Sequence, residues 1–377
     1  MRYYLSLLLF FITFSITVHA QTTASDWYKK GLSLNDSSRH KEAVKAYEKA
    51  ISLDPKYKEA FYRLGWTYNE LLAYDKAIEN LTVAVGLNKD YAFALQELGY
   101  AYKKKEKFTE ALNCLNKAIT IKPDYAVAYK QLGDVYMKLK RDNEAITAYE
   151  KTYSLNNKNE SACYELGYWY NAKDDFEKAL FWLNRAITIK PTVSTYNEIG
   201  FANYKLKKND EAIAAYKSAL GINPNNGTAY KGIGDVYRRN YKPAKTTEAI
   251  ESYRKAIYNN PLSSGSFFGL GWCFNETKNY DSSIILLKKA LELDNTITAA
   301  YTELGYAQYM KGVYTDALST FNKGIMLDAK ANLPRYYKGL VYVAQKDKNN
   351  AQLIYNELKP LDNSLAEKLL AKINSLQ

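Results

Sequence analysis

The chain has 377 residues, a formal net charge of +12 and a hydrophobic fraction of 47%. Its three scattered cysteines, Cys114, Cys163 and Cys273, exclude a disulfide framework. The positive charge favours acidic proteins, anionic glycans or a membrane surface as partners over nucleic acid.

The first twenty residues have the pattern of an export signal. Arg2 gives a positive start, the stretch from Leu5 to Val18 is almost wholly apolar, and Ala20 ends it with a small residue of the kind that signal peptidases read. We expect cleavage after Ala20 and an exported protein, periplasmic or secreted. An uncleaved N-terminal anchor is the alternative, because the apolar stretch just reaches the ~18 residues that a membrane-spanning helix needs.

Ten glycines then recur at intervals of 33 to 37 residues. A small residue, Ala or Ser, follows each glycine by 12 residues, except that Ala249 follows Gly234 by 15, which predicts a longer turn in that repeat. Glycine inside a helix costs about 1 kcal/mol relative to alanine, so we expect the backbone of a second helix to lie close to each one. The ladder consists of Gly31, Gly65, Gly99, Gly133, Gly167, Gly200, Gly234, Gly271, Gly305 and Gly339.

The repeats resemble the tetratricopeptide repeat, a helix pair with a period of 34 residues. The third copy carries the pattern most fully, reading AFALQELGYAY from residue 92 and then Ala111, Leu115, Ala118 and Pro123. The first and tenth copies depart from the pattern, because Lys30 and Lys338 replace the leucine before the glycine. The resemblance covers residues 24 to about 361.

This resemblance implies an all-α fold, a right-handed superhelical α-solenoid of about ten helix pairs over residues 21–361. A C-terminal capping helix is expected at 362–377, with Ser364 and Glu367 as a candidate capping box. The ten repeats are expected near 24–57, 58–91, 92–125, 126–159, 160–192, 193–226, 227–263, 264–297, 298–331 and 332–361.

Motifs for catalysis or metal binding are not found. His40 is the single histidine after the signal, and the chain has no Cys-x-x-Cys or His-x-x-x-His spacing. The ladder glycines are used for helix contacts and leave no phosphate-binding loop. We therefore expect no enzymatic activity, no metal and no small-molecule cofactor, and we expect Cys163 and Cys273 to pack in the core.

Aromatic residues form a second stripe on the first helix of each repeat, turned about 130° from the residues that face the partner helix. In the family this stripe resembles the lining of a concave groove that holds ligands. Two interpretations remain open: the rings grip a partner, or they pack on one another. The candidate partner-binding residues are Tyr62, Trp66, Phe93, Tyr100, Tyr164, Tyr168, Phe201, Tyr204, Phe268, Trp272, Tyr306 and Tyr309.

Basic residues gather in the turns within the repeats. One interpretation is that these cations satisfy carbonyl groups at helix C-termini. The other is a basic rim that meets an anionic surface, with Arg238, Arg239, Lys242 and Lys245 as its candidate residues.

Together these features predict a non-catalytic scaffold that binds a protein or peptide partner, as an extended segment, in the groove. The alternative is a glycan-binding or cell-envelope assembly factor that uses the same rings and the basic rim, with an anionic glycan or a membrane surface as partner.

Overall fold

The computed structural model describes residues 23–241 and 244–376. The expected signal at residues 1–20 lies outside the described residues. Within the described ranges the chain forms helices and turns and no strand, which confirms the predicted all-α fold. None of the described helices combines the length and the apolar character needed to cross a bilayer.

The chain divides into two compact units, one up to Asn157 and one from Lys158 onwards. The first unit contains four helix pairs, in which the odd-numbered helix is the first of its repeat. Their bounds are α1 Ala24–Asp36, α2 His40–Leu53, α3 Lys58–Glu70, α4 Tyr74–Leu87, α5 Ala92–Lys104, α6 Phe108–Ile121, α7 Ala126–Lys138 and α8 Asp142–Leu155.

The second unit contains six helix pairs and a final single helix. Their bounds are α9 Glu160–Ala172, α10 Phe176–Ile189, α11 Val193–Lys205, α12 Asn209–Ile222, α13 Gly227–Arg239, α14 Thr246–Asn259, α15 Ser264–Glu276, α16 Tyr280–Leu293, α17 Thr298–Met310, α18 Tyr314–Leu327, α19 Leu333–Ala344, α20 Lys348–Leu358 and α21 Asn363–Asn374.

Within each unit, the stacked pairs place first helices beside one another. In the first unit α3 packs on α5 and α5 on α7, while in the second unit the odd-numbered helices from α9 to α19 pack in the same way. The exposed side of these helices is called here the first-helix surface. All of the candidate aromatic residues except the buried Phe268 have at least part of their side chain on it.

The ladder glycines lie where the two helices of a pair approach most closely. A Cβ atom on Gly65 would lie 2.5 Å from Cγ of Leu81, and one on Gly133 would lie 2.6 Å from Cε1 of Tyr149. At eight of the ten glycines the gap is therefore filled first by a large side chain that comes 16 residues later, and not by a neighbouring backbone as the ladder suggested; Tyr253 fills it for Gly234 and Leu369 for Gly339. For Gly65, Gly99 and Gly167, the carbonyl oxygen of the alanine 12 positions later also lies close, at 3.2 Å for Ala77.

In nine of the ten repeats, the turn between the two helices is closed by a residue with positive φ, seven positions after the ladder glycine; the exception is the longer turn of the seventh repeat. Glu106, with φ of 58°, is an example: its N–H donates to the carbonyl of Lys103, and the N–H of Lys107 donates to that of Tyr102. This pattern satisfies the last carbonyls of a helix and favours glycine. Here non-glycine residues adopt it in eight turns: Ser38, Leu72, Glu106, Lys140, Asp174, Lys207, Lys278 and Lys346.

The C-terminal helix α21 is present, but its predicted cap is wrong. Asp362, not Ser364, caps the helix by accepting the N–H of Leu365 at 3.0 Å. Ser364 lies one residue inside the helix. Asp362 takes the cap because its carboxylate both accepts an N–H and places negative charge at the helix N-terminus.

Two of the cysteines behave as predicted. Cys163 and Cys273 are fully buried, and all three cysteines are free thiols. Burial raises the pKa of the Cys163 thiol to about 11. Both side chains therefore act as small apolar residues of the core.

Candidate partner-binding site

All twelve aromatic candidates lie on first helices. The positions pair by helix as Tyr62 and Trp66 on α3, Phe93 and Tyr100 on α5, Tyr164 and Tyr168 on α9, Phe201 and Tyr204 on α11, Phe268 and Trp272 on α15, and Tyr306 and Tyr309 on α17.

The twelve rings differ in exposure. Phe93 and Tyr168 are each 45% exposed, so nearly half of the surface of each residue is free to contact a partner. Phe268, in contrast, is 8% exposed, and the expectation that it forms an open platform is wrong. Its ring packs under the guanidinium of Arg238, whose Cζ lies 5.3 Å from the ring centroid.

Most of these rings also contact another ring. Tyr62 lies 5.1 Å from Tyr91, and Phe93 lies 5.3 Å from Tyr125, measured between centroids. Since Tyr91 and Tyr125 precede α5 and α7, the stripe is held by residues at the start of the next first helix. Packing and partial exposure coexist on the same side chains, so the two interpretations of the stripe are not exclusive.

Two neighbouring pockets open on the first-helix surface of the second unit, and both are lined by candidate residues. The first has a volume of about 370 Å³ and is called here the Glu198 pocket. Two aromatic rings and two carboxylates give it an apolar and acidic lining. Its residues are Tyr168, Asn171, Ala172, Asp174, Glu198 and Phe201.

The second pocket has a volume of about 410 Å³, shares Phe201 with the first and is called here the Arg238 pocket. Five cationic side chains and one carboxylate, that of Asp235, line it. The two pockets therefore present opposite charge on adjacent repeats. The residues of the second pocket are Phe201, Tyr204, Lys205, Lys207, Lys231, Asp235, Arg238, Arg239, Asn240, Gly265 and Phe268.

The Glu198 pocket contains a hydrogen-bonded pair that joins two first helices. Asn171 on α9 donates from Nδ2 to the backbone carbonyl of Glu198 on α11 at 3.1 Å and to its carboxylate at 2.8 Å. Burial raises the pKa of the Glu198 carboxyl above its ordinary value, although the bond from Asn171 works in the other direction. The Oδ1 atom of Asn171 is buried and has no hydrogen-bond partner in the described part of the chain.

This pair recurs every three repeats. Asn69 binds Glu97 in the same way, at 3.2 and 2.9 Å, and Asn275 binds Glu303 at 3.0 and 2.8 Å. In both cases burial again raises the pKa of the glutamate. The equivalent junctions are α3 with α5, α9 with α11 and α15 with α17.

Two further contacts mark the same three junctions. The first is an edge-to-face contact between two aromatic rings, with centroids 6.1 to 6.4 Å apart. One ring is the first residue of a second helix, and the other directly follows the ladder glycine of the next repeat: Tyr74 with Tyr100, Phe176 with Phe201, and Tyr280 with Tyr306. The second is a salt bridge of 3.0 to 3.2 Å between a lysine in the turn of one repeat and an acidic residue of the preceding repeat: Lys105 with Asp75, Lys208 with Glu177, and Lys311 with Asp281.

The sequence analysis missed this three-repeat period, although its signal is visible. A motif of Leu-Gly, an aromatic residue, any residue, an aromatic residue and Asn occurs at residues 64–69, 166–171 and 270–275. The glycine ladder shows only what all ten repeats share, and this motif is present in three of them. Trp66, Tyr168 and Trp272 are thus equivalent members of three similar surfaces.

The candidate residues of the basic rim differ in their exposure. Arg238 does not belong to a rim, because it is 8% exposed and donates to the hydroxyl of Tyr253 at 2.9 Å and to Asp235 at 3.3 Å. Arg239 and Lys245 are exposed. Lys245 places its Nζ 4.1 Å from the ring centroid of Tyr241. Lys242 lies outside the described residues.

A further cavity, of about 510 Å³, lies among α6, α7 and α8 in the first unit. None of the candidate residues lines it, and its walls are mainly apolar. Over residues 23–241 and 244–376, no group of His, Cys, Asp and Glu side chains has an arrangement that could hold a metal ion.

Comparisons with known proteins agree with the repeat structure. Models of the TPR or tetratricopeptide repeat match residues 31–71, 99–140, 126–159, 160–192, 193–226 and 241–296. No curated protein sequence gives a significant match.

Solved structures show the same fold. The C-terminal part of a TPR repeat-containing protein from Cytophaga hutchinsonii is 17% identical, with a TM-score of 0.53 over 64% of this chain and 99% of its own. PilF from Pseudomonas aeruginosa is also 17% identical, with a TM-score of 0.50 over 55% of this chain and 94% of its own. At this identity the likeness concerns the fold alone.

The helix pairs, the glycine ladder and the matching repeat models agree over most of the described residues. Such repeats bind protein or peptide partners, and the repeats of this chain support a role as a scaffold for protein–protein interaction. The chain belongs to the tetratricopeptide repeat family.

Proposed function

We propose that this protein is a non-catalytic scaffold that binds an extended segment of a protein partner along the first-helix surface. The observation that carries the proposal is the pair of adjoining pockets in the second unit. Tyr168, Phe201, Tyr204 and Phe268, four of the twelve aromatic candidates, line these pockets.

The dimensions of the pockets support a peptide ligand. Adjacent packed helices lie about 8–10 Å apart, and a peptide in the polyproline II conformation advances about 3.1 Å per residue with three residues per turn. Side chains three residues apart therefore lie on the same face of such a segment and can enter the two pockets as it crosses from one first helix to the next. Half-exposed rings such as Tyr168 offer apolar contact area together with a hydroxyl group, as aromatic anchors at interfaces do.

The test is selection of binders from a phage-displayed library of random peptides, followed by hydrogen–deuterium exchange of the complex. We expect selected peptides to slow exchange in odd-numbered helices from α9 to α15. Protection confined to the even-numbered helices would contradict the proposal, and so would a library that yields no binder. A glycan array serves as the counter-probe: binding there without peptide binding would favour a glycan-binding factor.

We further propose that the protein acts outside the cytoplasm, on the basis of the signal pattern that ends at Ala20. Fractionation of cells that produce the full chain, with N-terminal sequencing, tests this proposal. A mature start at Gln21 in the exported fraction is the expected result. An uncleaved cytoplasmic product would contradict it.

A further inference from the structure

We propose that the Arg238 pocket binds the side-chain carboxylate of an acidic residue in the partner segment. This inference rests on the proposed function, since it names the chemistry of one residue in the segment that the first-helix surface would hold.

The charge of the pocket is the first argument. Lys231 lies 2.7 Å from the carboxylate of Asp235, and Arg238 lies 3.3 Å from it. The other three cations, Lys205, Lys207 and Arg239, form no ion pair with a carboxylate of the described residues, and Lys205 places its Nζ 5.5 Å from the ring centroid of Phe201. The pocket thus holds a clear excess of positive charge in a concave site, where cationic side chains attract an anion more strongly than on a flat surface.

The position of Arg238 is the second argument. Two hydrogen bonds, to Tyr253 and Asp235, and the rings of Phe268 and Trp272 at 5.3 and 5.4 Å hold its guanidinium in place. A guanidinium that is already ordered loses little freedom when it binds. Nε and Nη2 of Arg238 already donate within the protein, and Nη1, which forms no hydrogen bond within the described residues, can donate to a carboxylate oxygen of the ligand. The pocket is therefore organised before a ligand arrives.

The neighbouring pocket decides which anion fits. Phe201 belongs to both pockets, and on its other side lie the carboxylates of Glu198 and Asp174. A ligand that is anionic along its whole length, such as a polyphosphate or a sulfated glycan, would be repelled there. A peptide with one acidic residue avoids this repulsion and, in the polyproline II conformation, places an apolar or basic side chain about three positions away in the Glu198 pocket.

A membrane surface fits less well, because the buried side chain of Arg238 lies below the protein surface, where a flat array of lipid head groups does not reach. An acidic side chain that projects from an extended peptide segment does reach it. The structure therefore favours an acidic peptide residue over an anionic lipid.

The experiment uses the full chain and the peptides selected from the random library. We expect enrichment of Asp or Glu at one position, and at least tenfold weaker binding when that residue is changed to Asn or Gln. The double variant Lys207→Glu, Arg239→Glu should weaken binding to a similar extent, because both side chains line the pocket and Arg239 is exposed.

The matched control is Lys278→Glu, Arg254→Glu, which changes the net charge equally and alters a turn lysine with the same backbone conformation as Lys207. Neither residue lines the pocket, and we expect affinity close to that of the wild type. Equal losses in both double variants would overturn the inference, since the effect would then be one of overall charge.

The outcomes separate the two proposals. Peptides that are selected and protect the first helices, yet show no acidic preference and tolerate Lys207→Glu, Arg239→Glu, would overturn the carboxylate site and leave the scaffold proposal intact. A library without binders would contradict the scaffold proposal itself. Displacement of an acidic peptide by phosphatidylserine vesicles would show that the pocket binds anionic lipid head groups, and it would overturn the inference.

Discussion

Asn171 and Glu198 connect two successive first helices through two hydrogen bonds from one amide group, at 3.1 Å to the backbone carbonyl and 2.8 Å to the carboxylate. Because an amide is fixed by both bonds at once, it sets the register of α11 against α9. The recurrence of this pair at two other junctions makes it part of the construction of the molecule, with consequences for stability and for pH dependence.

Asn171→Ala should lower the free energy of unfolding by about 1–3 kcal/mol, because the backbone carbonyl and the carboxylate of Glu198, both partly buried, lose their donor. Urea denaturation measures the change. Asn80→Ala is the control, since Nδ2 of Asn80 donates only to the carbonyl of Lys76 in its own helix. Equal losses in the two variants would mean that the pair does not stabilise the junction.

The three partly buried glutamates should make the protein less stable as the pH rises. Burial raises the pKa of Glu97, Glu198 and Glu303 above the ordinary value of 4.5, so the folded state binds protons that the unfolded state has already released. Their favourable contribution is complete below pH 4.5 and is lost as the pH rises through the raised values in the folded state.

The triple variant Glu97→Gln, Glu198→Gln, Glu303→Gln should lack this part of the pH dependence. Its free energy of unfolding, relative to the wild type, should therefore increase with pH above 4.5. Glu79→Gln, at an exposed position of α4, is the control. A difference between triple variant and wild type that stays constant with pH would contradict the assignment of these carboxyls.

Glu106→Gly should stabilise the protein by about 1 kcal/mol, because a left-handed conformation costs other residues roughly 1–2 kcal/mol and glycine almost nothing. Glu110→Gly makes the same exchange inside α6 and should destabilise by about 1 kcal/mol. Thermal unfolding of the two variants should therefore shift in opposite directions. A lower melting temperature for Glu106→Gly would show that its turn is not strained.

Gly133→Ala and Gly86→Ala should also have opposite effects. A Cβ on Gly133 would lie 2.6 Å from the ring of Tyr149, whereas a Cβ on Gly86 in α4 would meet nothing within 4 Å. We expect the first change to destabilise the protein and the second to stabilise it by about 0.5–1 kcal/mol, as the helical preference of alanine requires. Urea denaturation decides, and a tolerated alanine at residue 133 would refute the close-approach explanation of the ladder.

The sequence was sufficient to predict the helix pairs, because the glycine ladder reports a local constraint that every repeat must satisfy. The glycine ladder does not show which side chain fills the space beside each glycine. Tyr149 and Leu81 both fit beneath a glycine, since a ring and a branched aliphatic chain satisfy the same packing requirement.

The environment of Arg238 was predicted wrongly because a run of basic residues shows charge and not direction. Arg238 follows Gly234 by four residues, and Asn69, Asn171 and Asn275 follow their own ladder glycines by the same interval. A side chain at that position points toward the first helix of the next repeat. A comparison of equivalent positions across the repeats would have separated it from Arg239, which is exposed.

The binding role of the first-helix surface is tested most directly by removing the equivalent rings on α3, α9 and α15 together and measuring affinity for a selected peptide. The variant is Trp66→Ala, Tyr168→Ala, Trp272→Ala. Its control removes three exposed apolar side chains from second helices, Phe181→Ala, Tyr258→Ala and Met326→Ala, of which Tyr258 is 87% exposed.

Fluorescence polarisation with a labelled selected peptide, at protein concentrations corrected for the folded fraction, gives the affinity of each variant. We predict that the first-helix variant binds at least tenfold more weakly than the wild type, since aromatic anchors often contribute 2 kcal/mol or more, and that the control variant binds as the wild type does. Unchanged affinity in the first-helix variant, or an equal loss in the control, would contradict the assignment of the partner-binding site to this surface.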